Sequence, residues 1–288
     1  MDSVLPVCMI HIGYKEYVKT NLLITGKTNR VFLLGDPSLS SLGDLPNVTF
    51  VNVLPYFAKE RCVTYKQAFR NYSSNSAELE FLCFARIFIL LDFLQEYGLS
   101  RIFHIDSDNV LLRDVNMYPF QNEEAYIRNT NFHKMRMSNS IHCGLLTIDY
   151  CKRFEKLYQD IFMNGSKFFL LENKIRFHRD AAGKFVNGGI CDMTFYYLLA
   201  EERKVQNLAS PVDISGSDYV WLNNLNGGEG LESKTQYATE NGLTKIVDGC
   251  VFDIIHNRSY RLFNIHFQGA AKSLLNPVFC KPYIENSA

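Results

Sequence analysis

Residues 103–114 read FHIDSDNVLLRD and place two carboxylates, Asp106 and Asp108, between two apolar runs. The apolar run at 101–105 predicts a buried strand, so both aspartates lie where that strand ends. In open α/β sheets, ligands bind beyond the carboxyl ends of the strands, and neighbouring carboxylates repel each other unless a cation or donor groups neutralise them. The segment therefore predicts a ligand or metal site. A solvent-exposed Asp-x-Asp loop is the alternative.

The residues before this segment alternate between strand and helix patterns. The sequence predicts strands at 4–12, 30–34 and 48–53, and helices at 15–25 and 76–97. Strands that alternate with helices of this length are typical of βαβ units and a parallel sheet. We therefore predict the α/β fold class.

The second half begins near Asn116 and contains further strands and helices. We predict strands at 142–148, 251–255 and 262–267, and helices at 150–163 and 186–200. Residues 216–242 are polar and rich in Gly and Asn, which predicts a mobile loop.

The overall composition excludes several classes of protein. The chain has 288 residues, of which 47% are hydrophobic, so it can bury a large core and is not a disordered protein. It carries 30 Lys plus Arg and 30 Asp plus Glu, and no basic run is present. A protein that binds a duplex needs a cationic face, so we expect no nucleic-acid partner.

The sequence also carries no membrane or metal-knuckle pattern. Its most apolar stretch, residues 81–94, is interrupted by Arg86 and Asp92, so we expect no membrane span. The start of the chain resembles a first strand and not a signal peptide, which predicts a cytoplasmic location. The eight cysteines never occur as CxxC, which argues against a zinc knuckle or a redox pair.

A second motif follows an apolar run near the end of the chain, where residues 266–272 read HFQGAAK. A neutral imidazole such as that of His266 can complete a manganese site. Gly269 allows close approach of the backbone to a ligand, and Lys272 can pair with a phosphate. A packed histidine beside a strand is the alternative.

The two motifs together resemble metal-dependent GT-A glycosyltransferases, and among these the family 8 enzymes, which include glycogenin and galactosyltransferase-like proteins. The resemblance implies a single GT-A domain over residues 1–288, a Rossmann-like fold with a mixed sheet flanked by helices. Residues 1–115 would form the nucleotide-sugar half. Residues 116–288 would form the acceptor half with the C-terminal metal and phosphate motif.

Scattered blocks extend the resemblance over about two thirds of the chain. Residues 7–14 resemble the strand that ends at the nucleotide base, 84–86 the helical segment whose Arg contacts the donor, and 141–149 the strand beside the sugar. Residues 187–199 occupy the place of the family's DQD helix start, although residues 190–193 read ICDM. His142-Cys143 also replaces an Asn-Ser or Asn-Ala pair, so the donor sugar, the acceptor and the stereochemistry stay open.

The resemblance implies a role for each matching residue. Asp106, Asp108 and His266 would ligate Mn²⁺ or Mg²⁺, and Lys272 with the backbone of Gly269 would hold the β-phosphate. The implied donor-binding set is His11, Gly13, Tyr14, Arg86, Asp106, Ser107, Asp108, Gly144, His266, Gly269 and Lys272.

The implied activity is the transfer of a hexose or related sugar from a nucleotide sugar, with a UDP-sugar as donor and a carbohydrate or glycoconjugate as acceptor. HxxGxxK favours retention of the anomeric configuration. Charge develops on the leaving diphosphate, and a cation with an ammonium group stabilises that charge without proton transfer. The protein would thus be an enzyme of the hexosyltransferase type.

Asp192 and Arg86 are the candidate catalytic residues. Asp192 would orient a hydroxyl or stabilise an oxocarbenium-like centre, and its alternative is an acidic residue placed favourably at a helix N-terminus. Arg86 would contact the donor or form a buried ion pair. Tyr14 would line the base pocket or begin a helix, and Trp221 would stack on an acceptor sugar or join a small apolar cluster.

Two other functions remain as alternatives. A Mg²⁺-dependent phosphatase of the haloacid-dehalogenase type also uses Asp-x-Asp after an apolar strand, but there the motif normally closes the first strand of the fold. A sugar-nucleotide or glycan-binding module without turnover would not need Asp106, Asp108, His266 and Lys272 together. Asp114 is expected to cap the chain locally and not to bind metal.

Overall fold

The computed structural model describes residues 4–128, 136–186, 188–226 and 237–285. The strands are β1 (Val7–His11), β2 (Val31–Gly35), β3 (Val48–Asn52), β4 (Arg101–Ile105), β5 (Asn109–Leu111), β6 (Ala125–Ile127), β7 (Ser140–Thr147), β8 (Gln206–Asn207), β9 (Val212–Ile214), β10 (Ser217–Leu222), β11 (Thr239–Glu240), β12 (Leu243–Thr244), β13 (Ile246–Val247), β14 (Cys250–Asp253) and β15 (Arg258–His266). The α-helices are α1 (Glu16–Thr25), α2 (Leu54–Ala58), α3 (Glu60–Ala68), α4 (Ala77–Glu96), α5 (Ile148–Tyr158), α6 (Glu172–His178), α7 (Asp192–Glu202) and α8 (Lys281–Glu285).

The larger sheet has the strand order β3-β2-β1-β4-β7-β6-β8. Strands β3, β2, β1 and β4 run parallel, and β7 pairs antiparallel with β4. The carboxyl ends of β1 and β4 therefore meet the beginning of β7 at one edge. This mixed sheet confirms the predicted α/β class and places the Asp-x-Asp segment at the edge where ligands bind.

A second sheet is built around β15, with the order β13-β14-β15-β10-β9. The short strand β5 leaves the Asp-x-Asp segment and pairs antiparallel with β15, so that Asn109 lies opposite His266. This pairing brings the two sequence motifs to the same point of the fold.

Helix α4 holds the larger sheet from one side. The Ser76 side chain accepts a hydrogen bond from the Leu79 amide and so caps its N-terminus. Its inner face packs in an aromatic cluster in which Phe84 meets Phe195 and Phe88 meets Tyr158, with ring centroids 4.9 and 5.0 Å apart. Burying each such side chain contributes about 1.5–3 kcal/mol, so this cluster fixes the position of α4 firmly.

The predicted mobile loop at 216–242 is partly wrong. Its first residues form β10, which pairs in parallel with β15, and its residues 227–236 lie outside the described part of the chain. Trp221 is buried and stacks on Phe103 and Phe263, with centroids 5.1 and 4.5 Å away. The side chain predicted as a stacking surface for an acceptor is therefore part of the core.

The helix predicted at 186–200 begins six residues later, at Asp192. Gly188 and Gly189 have φ of +109° and +148°, a backbone that other residues rarely adopt. A Cβ on Gly189 would stand 2.1 Å from the Tyr72 carbonyl oxygen, so only glycine permits this close approach. The neighbouring Asn187 lies outside the described residues.

In the residue ranges given above, no helix has the length and apolar character that a membrane crossing requires.

Candidate active site

The Asp-x-Asp segment is held by backbone hydrogen bonds to both sheets. The Asp106 amide donates to the His142 carbonyl of β7 at 2.8 Å, and the Phe267 amide donates to the Asp108 carbonyl at 2.8 Å. The turn is closed by the Asn109 amide, which donates to the Asp106 carbonyl at 2.9 Å. The two aspartates are thus fixed where the sheets meet.

A buried network of amide side chains supports the same turn from α1. Asn21 donates from Nδ2 to the carbonyl oxygens of Ser107 and Asn109, at 2.9 Å each, and its Oδ1 accepts from Thr25. Asn264 of β15 donates to Asn109 Oδ1 at 2.7 Å. Buried polar groups are stabilising only when paired, so this network specifies one conformation of the turn.

Asp108 meets both residues of the second motif that were predicted to act with it. Its Oδ2 lies 3.0 Å from Lys272 Nζ, and its Oδ1 lies 3.6 Å from His266 Nε2. Burial acts to lower the pKa of His266 and of Lys272. The nearby Asp108 carboxylate outweighs this effect, so the pKa of each group is raised. His266 donates from Nδ1 to the Asn223 carbonyl, which directs Nε2 toward Asp108.

The predicted metal ligands are brought together only in part. Over the described ranges, no three His, Cys, Asp or Glu side chains are placed to hold a metal ion as they stand. Asp108 and His266 nevertheless form a pair whose chemistry fits a divalent cation, because a carbonyl at Nδ1 orients a ligand imidazole. The third predicted ligand, Asp106, is engaged by Arg86.

Arg86 joins Asp106 to Asp192 through a forked ion pair. Its Nη1 donates to Asp106 Oδ1 at 2.6 Å, and its Nη2 donates to Asp192 Oδ2. Asp192 is buried at the start of α7 and also accepts from Tyr196 Oη at 2.8 Å. Burial acts to raise the pKa of Asp106, but the Arg86 guanidinium and His104 hold it well below its usual range.

The structure shows the ion-pair alternative for Arg86 and the helix N-terminal alternative for Asp192, and the contacts of both residues with a donor sugar stay predictions. Arg86 is a largely buried ion-pair partner of the predicted metal ligand Asp106. Asp192 is the first residue of its helix, and its Oδ1 accepts from the Met193 amide at 2.8 Å.

An apolar cavity of about 340 Å³ opens between the end of β1 and α4. Four nitrogen atoms of its lining residues are buried without a hydrogen-bond partner in the described part of the chain, namely His11 Nε2, Arg86 Nε, His104 Nδ1 and His104 Nε2. Unsatisfied buried polar atoms are rare, so these four make the cavity a candidate place for a polar ligand. The apolar side chains that surround them are Ile10, Ile12, Phe57, Leu79, Leu82, Cys83 and Ile89.

The end of β1 brings the predicted base-binding residues to this region. His11 Nδ1 lies 2.9 Å from Ser107 Oγ, and burial together with the nearby Lys272 ammonium lowers the pKa of His11. The Gly13 amide donates to the Asp36 carboxylate. Tyr14 precedes α1, is exposed, and donates to Glu16 at 2.7 Å, so it is not a core residue of that helix.

Two glycines of the predicted set have different surroundings. Gly269 has a φ of +58° and no atom closer than 3.5 Å to a Cβ built on it, so its backbone is accessible. Gly144 lies inside β7, where a Cβ would stand 3.0 Å from the Ala125 carbonyl oxygen. The close approach of β6 explains this glycine without a ligand. Asp114 caps a 3₁₀ turn by accepting from the Asn116 amide at 2.9 Å, as predicted.

Two buried histidines at the site were assigned no role from the sequence. His104 of β4 has its Nε2 3.4 Å from Asp106 Oδ1, and His142 of β7 stacks on His266. Burial lowers the pKa of both rings, so both are neutral at pH 7. His104 lies in the Asp-x-Asp segment, and the sequence singled out His142 only as a departure from the family pattern.

Comparisons with known proteins identify the fold and not the family. No protein-family model matches the chain, and no curated protein matches its sequence. Among solved structures, the bifunctional glycosyltransferase WbbM superposes with a TM-score of 0.51 at 14% identity, over 100% of this chain and 50% of that one. This chain thus spans half the length of WbbM.

Two further solved glycosyltransferase structures superpose with TM-scores below 0.5. Mouse xyloside xylosyltransferase 1 gives a TM-score of 0.45 at 13% identity, over 71% of this chain and 84% of that chain. The glycosyltransferase GlyE of Streptococcus pneumoniae TIGR4 gives 0.40 at 13% identity, over 71% and 45%. The mixed sheet flanked by helices and the match to WbbM confirm the predicted GT-A fold. Membership of family 8 stays a prediction.

Proposed function

We propose that this protein is a glycosyltransferase that transfers a hexose or related sugar from a nucleotide sugar to a carbohydrate or glycoconjugate acceptor. The observation that carries the proposal is the convergence of Asp108, His266 and Lys272 with the Arg86 ion pair at the ligand-binding edge of a GT-A fold. Fold alone does not determine activity, and it is this side-chain set that supports sugar transfer.

The donor would enter along the end of β1. The apolar cavity is large enough for a flat ring such as a nucleobase, and the unpartnered Nε2 of the lining residue His11 could take a hydrogen bond from it. Ser107 and His11 together offer polar contacts for the ribose. These features support a nucleotide-sugar donor, and we propose a UDP-sugar.

The diphosphate would lie against Lys272 and the exposed backbone at Gly269. Lys272 is already held toward Asp108, so its ammonium group is in place to meet a phosphate. Asp108 and His266, with Asp106 as the third predicted ligand, would hold Mn²⁺ or Mg²⁺. When bound, that cation would neutralise charge on the leaving diphosphate.

Arg86 and Asp192 would act on the sugar side. Arg86 pairs with both Asp106 and Asp192, and Tyr196 fixes the Asp192 carboxylate that would accept a hydrogen bond from a sugar hydroxyl. Both oxygens of Asp192 are engaged by protein donors, which makes it a poor general base for an acceptor. This arrangement favours retention of the anomeric configuration over an inverting transfer.

A product assay tests the proposal. The protein is incubated with Mn²⁺ and a panel of UDP-sugars and GDP-sugars, and the released nucleotide, free sugar and inorganic phosphate are measured. Release of UDP with a sugar of retained configuration, read by ¹H NMR, is the expected result. Phosphate release from phosphomonoesters would instead indicate the phosphatase, and binding of UDP without any release would indicate the non-catalytic module.

A further inference from the structure

Two imidazole rings from different sheets stack at the candidate site. His142 belongs to β7 of the larger sheet and His266 to β15 of the smaller one. Their ring centroids are 4.1 Å apart and their planes differ by 12°. The side chains are 2% and 6% exposed, so solvent does not compete with this contact.

The main chain of His142 anchors the Asp-x-Asp turn of the same site. Its carbonyl oxygen accepts from the Asp106 amide at 2.8 Å and from Asn109 Nδ2 at 3.0 Å. One residue therefore anchors the Asp-x-Asp turn with its backbone and contacts the predicted metal-binding imidazole with its ring.

The His142 ring is itself anchored. Its Nδ1 lies 2.8 Å from Ser140 Oγ, two residues earlier on the same strand. The His266 ring is likewise held at one nitrogen, by the hydrogen bond from Nδ1 to the Asn223 carbonyl. A flat partner on one face further limits tilting of that ring, because stacked rings lose contact when one of them turns away from parallel.

We propose that His142 is a positioning residue that sets the plane of the His266 imidazole and thereby directs Nε2 toward Asp108. The inference rests on the proposed function, since it assigns His142 to the metal site of that function. Groups that orient a metal ligand without touching the metal typically change metal affinity by about 10- to 100-fold when removed. His142 acts through ring shape, so another flat ring should replace it.

The test measures Mn²⁺ affinity, by the electron paramagnetic resonance signal of free Mn²⁺, in the presence of saturating UDP. The variants are His142→Ala, His142→Asn and His142→Phe, with His256→Ala as a matched control, since the His256 side chain is 61% exposed and pairs with Asp253, outside both motifs. We expect the Ala and Asn variants to bind Mn²⁺ at least about tenfold more weakly than wild type. We expect Phe and the control to stay within about threefold.

A second readout separates positioning from simple damage to the fold. In sugar transfer or donor hydrolysis, the Mn²⁺ concentration for half activation should rise in His142→Asn, whereas the rate at saturating Mn²⁺ should recover. If His142→Ala does not fold, the Mn²⁺ affinities of His142→Asn and His142→Phe are compared instead. The inference then requires weaker binding in His142→Asn than in His142→Phe.

Three outcomes would overturn the inference. Equal Mn²⁺ affinity in wild type and His142→Asn would contradict it while leaving the proposed function intact. Equal losses in the Phe and Asn variants would show that the nitrogen atoms matter and the ring plane does not. A wild-type protein that binds no Mn²⁺ with UDP would remove the metal site itself, and with it both proposals.

Discussion

The Asp108 carboxylate is the residue on which the proposed donor site depends most. One oxygen meets Lys272 and the other faces His266, so a neutral amide in its place removes the attraction that holds both cations. Asp108→Asn preserves the shape of the side chain. We expect kcat/KM for hydrolysis or transfer of a UDP-sugar to fall by about 100-fold or more.

Asp114→Asn is the matched control for this substitution, because an asparagine can keep the local cap that Asp114 makes to the Asn116 amide. Its activity should equal that of wild type. Full activity in Asp108→Asn would contradict the assignment of this carboxylate.

The Arg86 ion pair predicts a change in the pH dependence of stability. Arg86 holds the pKa of Asp106 below its usual range, so the stabilisation from this pair is fully present above about pH 4 and is lost as the pH falls further. In Arg86→Gln, burial remains and its largest opposing charge is gone, so the pKa of Asp106 rises, and we expect it to exceed that of the unfolded chain. Stability of the variant should then fall between pH 5 and 7.

We expect Arg86→Gln to lose about 3–5 kcal/mol of unfolding free energy at pH 7 and less at pH 5, measured by urea denaturation. Arg128→Gln breaks an exposed pair with Glu201 and should cost less than about 1 kcal/mol at either pH. A pH-independent loss in Arg86→Gln would contradict the ion-pair account.

At the scale of elements, α1 supports the Asp-x-Asp turn through Asn21. Asn21→Ala leaves the Ser107 and Asn109 carbonyls without this donor inside the protein, which should cost about 1–3 kcal/mol. We also expect weaker Mn²⁺-dependent UDP binding, measured by calorimetry, because the turn loses its support.

Ser76→Ala removes the cap of α4 and should cost a similar amount, about 1 kcal/mol, without weakening UDP binding. The two variants thus separate loss of stability from loss of the site. Equal UDP affinity in both would show that α1 does not position the turn.

Elements with a strong local pattern were predictable from the sequence. Strands β1 to β4 and helices α1 and α4 lie within a few residues of their predicted bounds, because apolar periodicity and stop residues act locally. In the second sheet, β14 and β15 were predicted and β5, β9, β10 and β13 were not. Strand β10 opens a segment that is polar and Gly-rich as a whole, and it pairs in parallel with β15, a contact between residues about 40 positions apart.

At the scale of the whole molecule, the site too could be predicted only where its residues form a local sequence motif. Asp106, Asp108, His266 and Lys272 lie in two compact motifs and could be singled out from their residue types. The stacking of His142 on His266 depends on the junction of two sheets, which no local pattern reveals. The amide network around Asn109 joins residues up to 155 positions apart and escaped notice for the same reason.

The two sheets meet at the Asp-x-Asp turn, so a ligand there would tie both halves of the molecule together. A ligand that binds only the folded state raises its stability by an amount set by concentration and affinity. At about 100 times its dissociation constant, this gain is about 2.7 kcal/mol, which moves the unfolding midpoint by several degrees.

The most direct test of the donor site is therefore thermal unfolding of the wild-type protein and Asp108→Asn with UDP, with GDP or with no nucleotide, each in Mn²⁺ or in EDTA. We predict an upward shift of several degrees with UDP that requires Mn²⁺ and disappears in Asp108→Asn. The absence of any metal-dependent shift with either nucleotide would contradict the proposal that this site binds a nucleotide sugar.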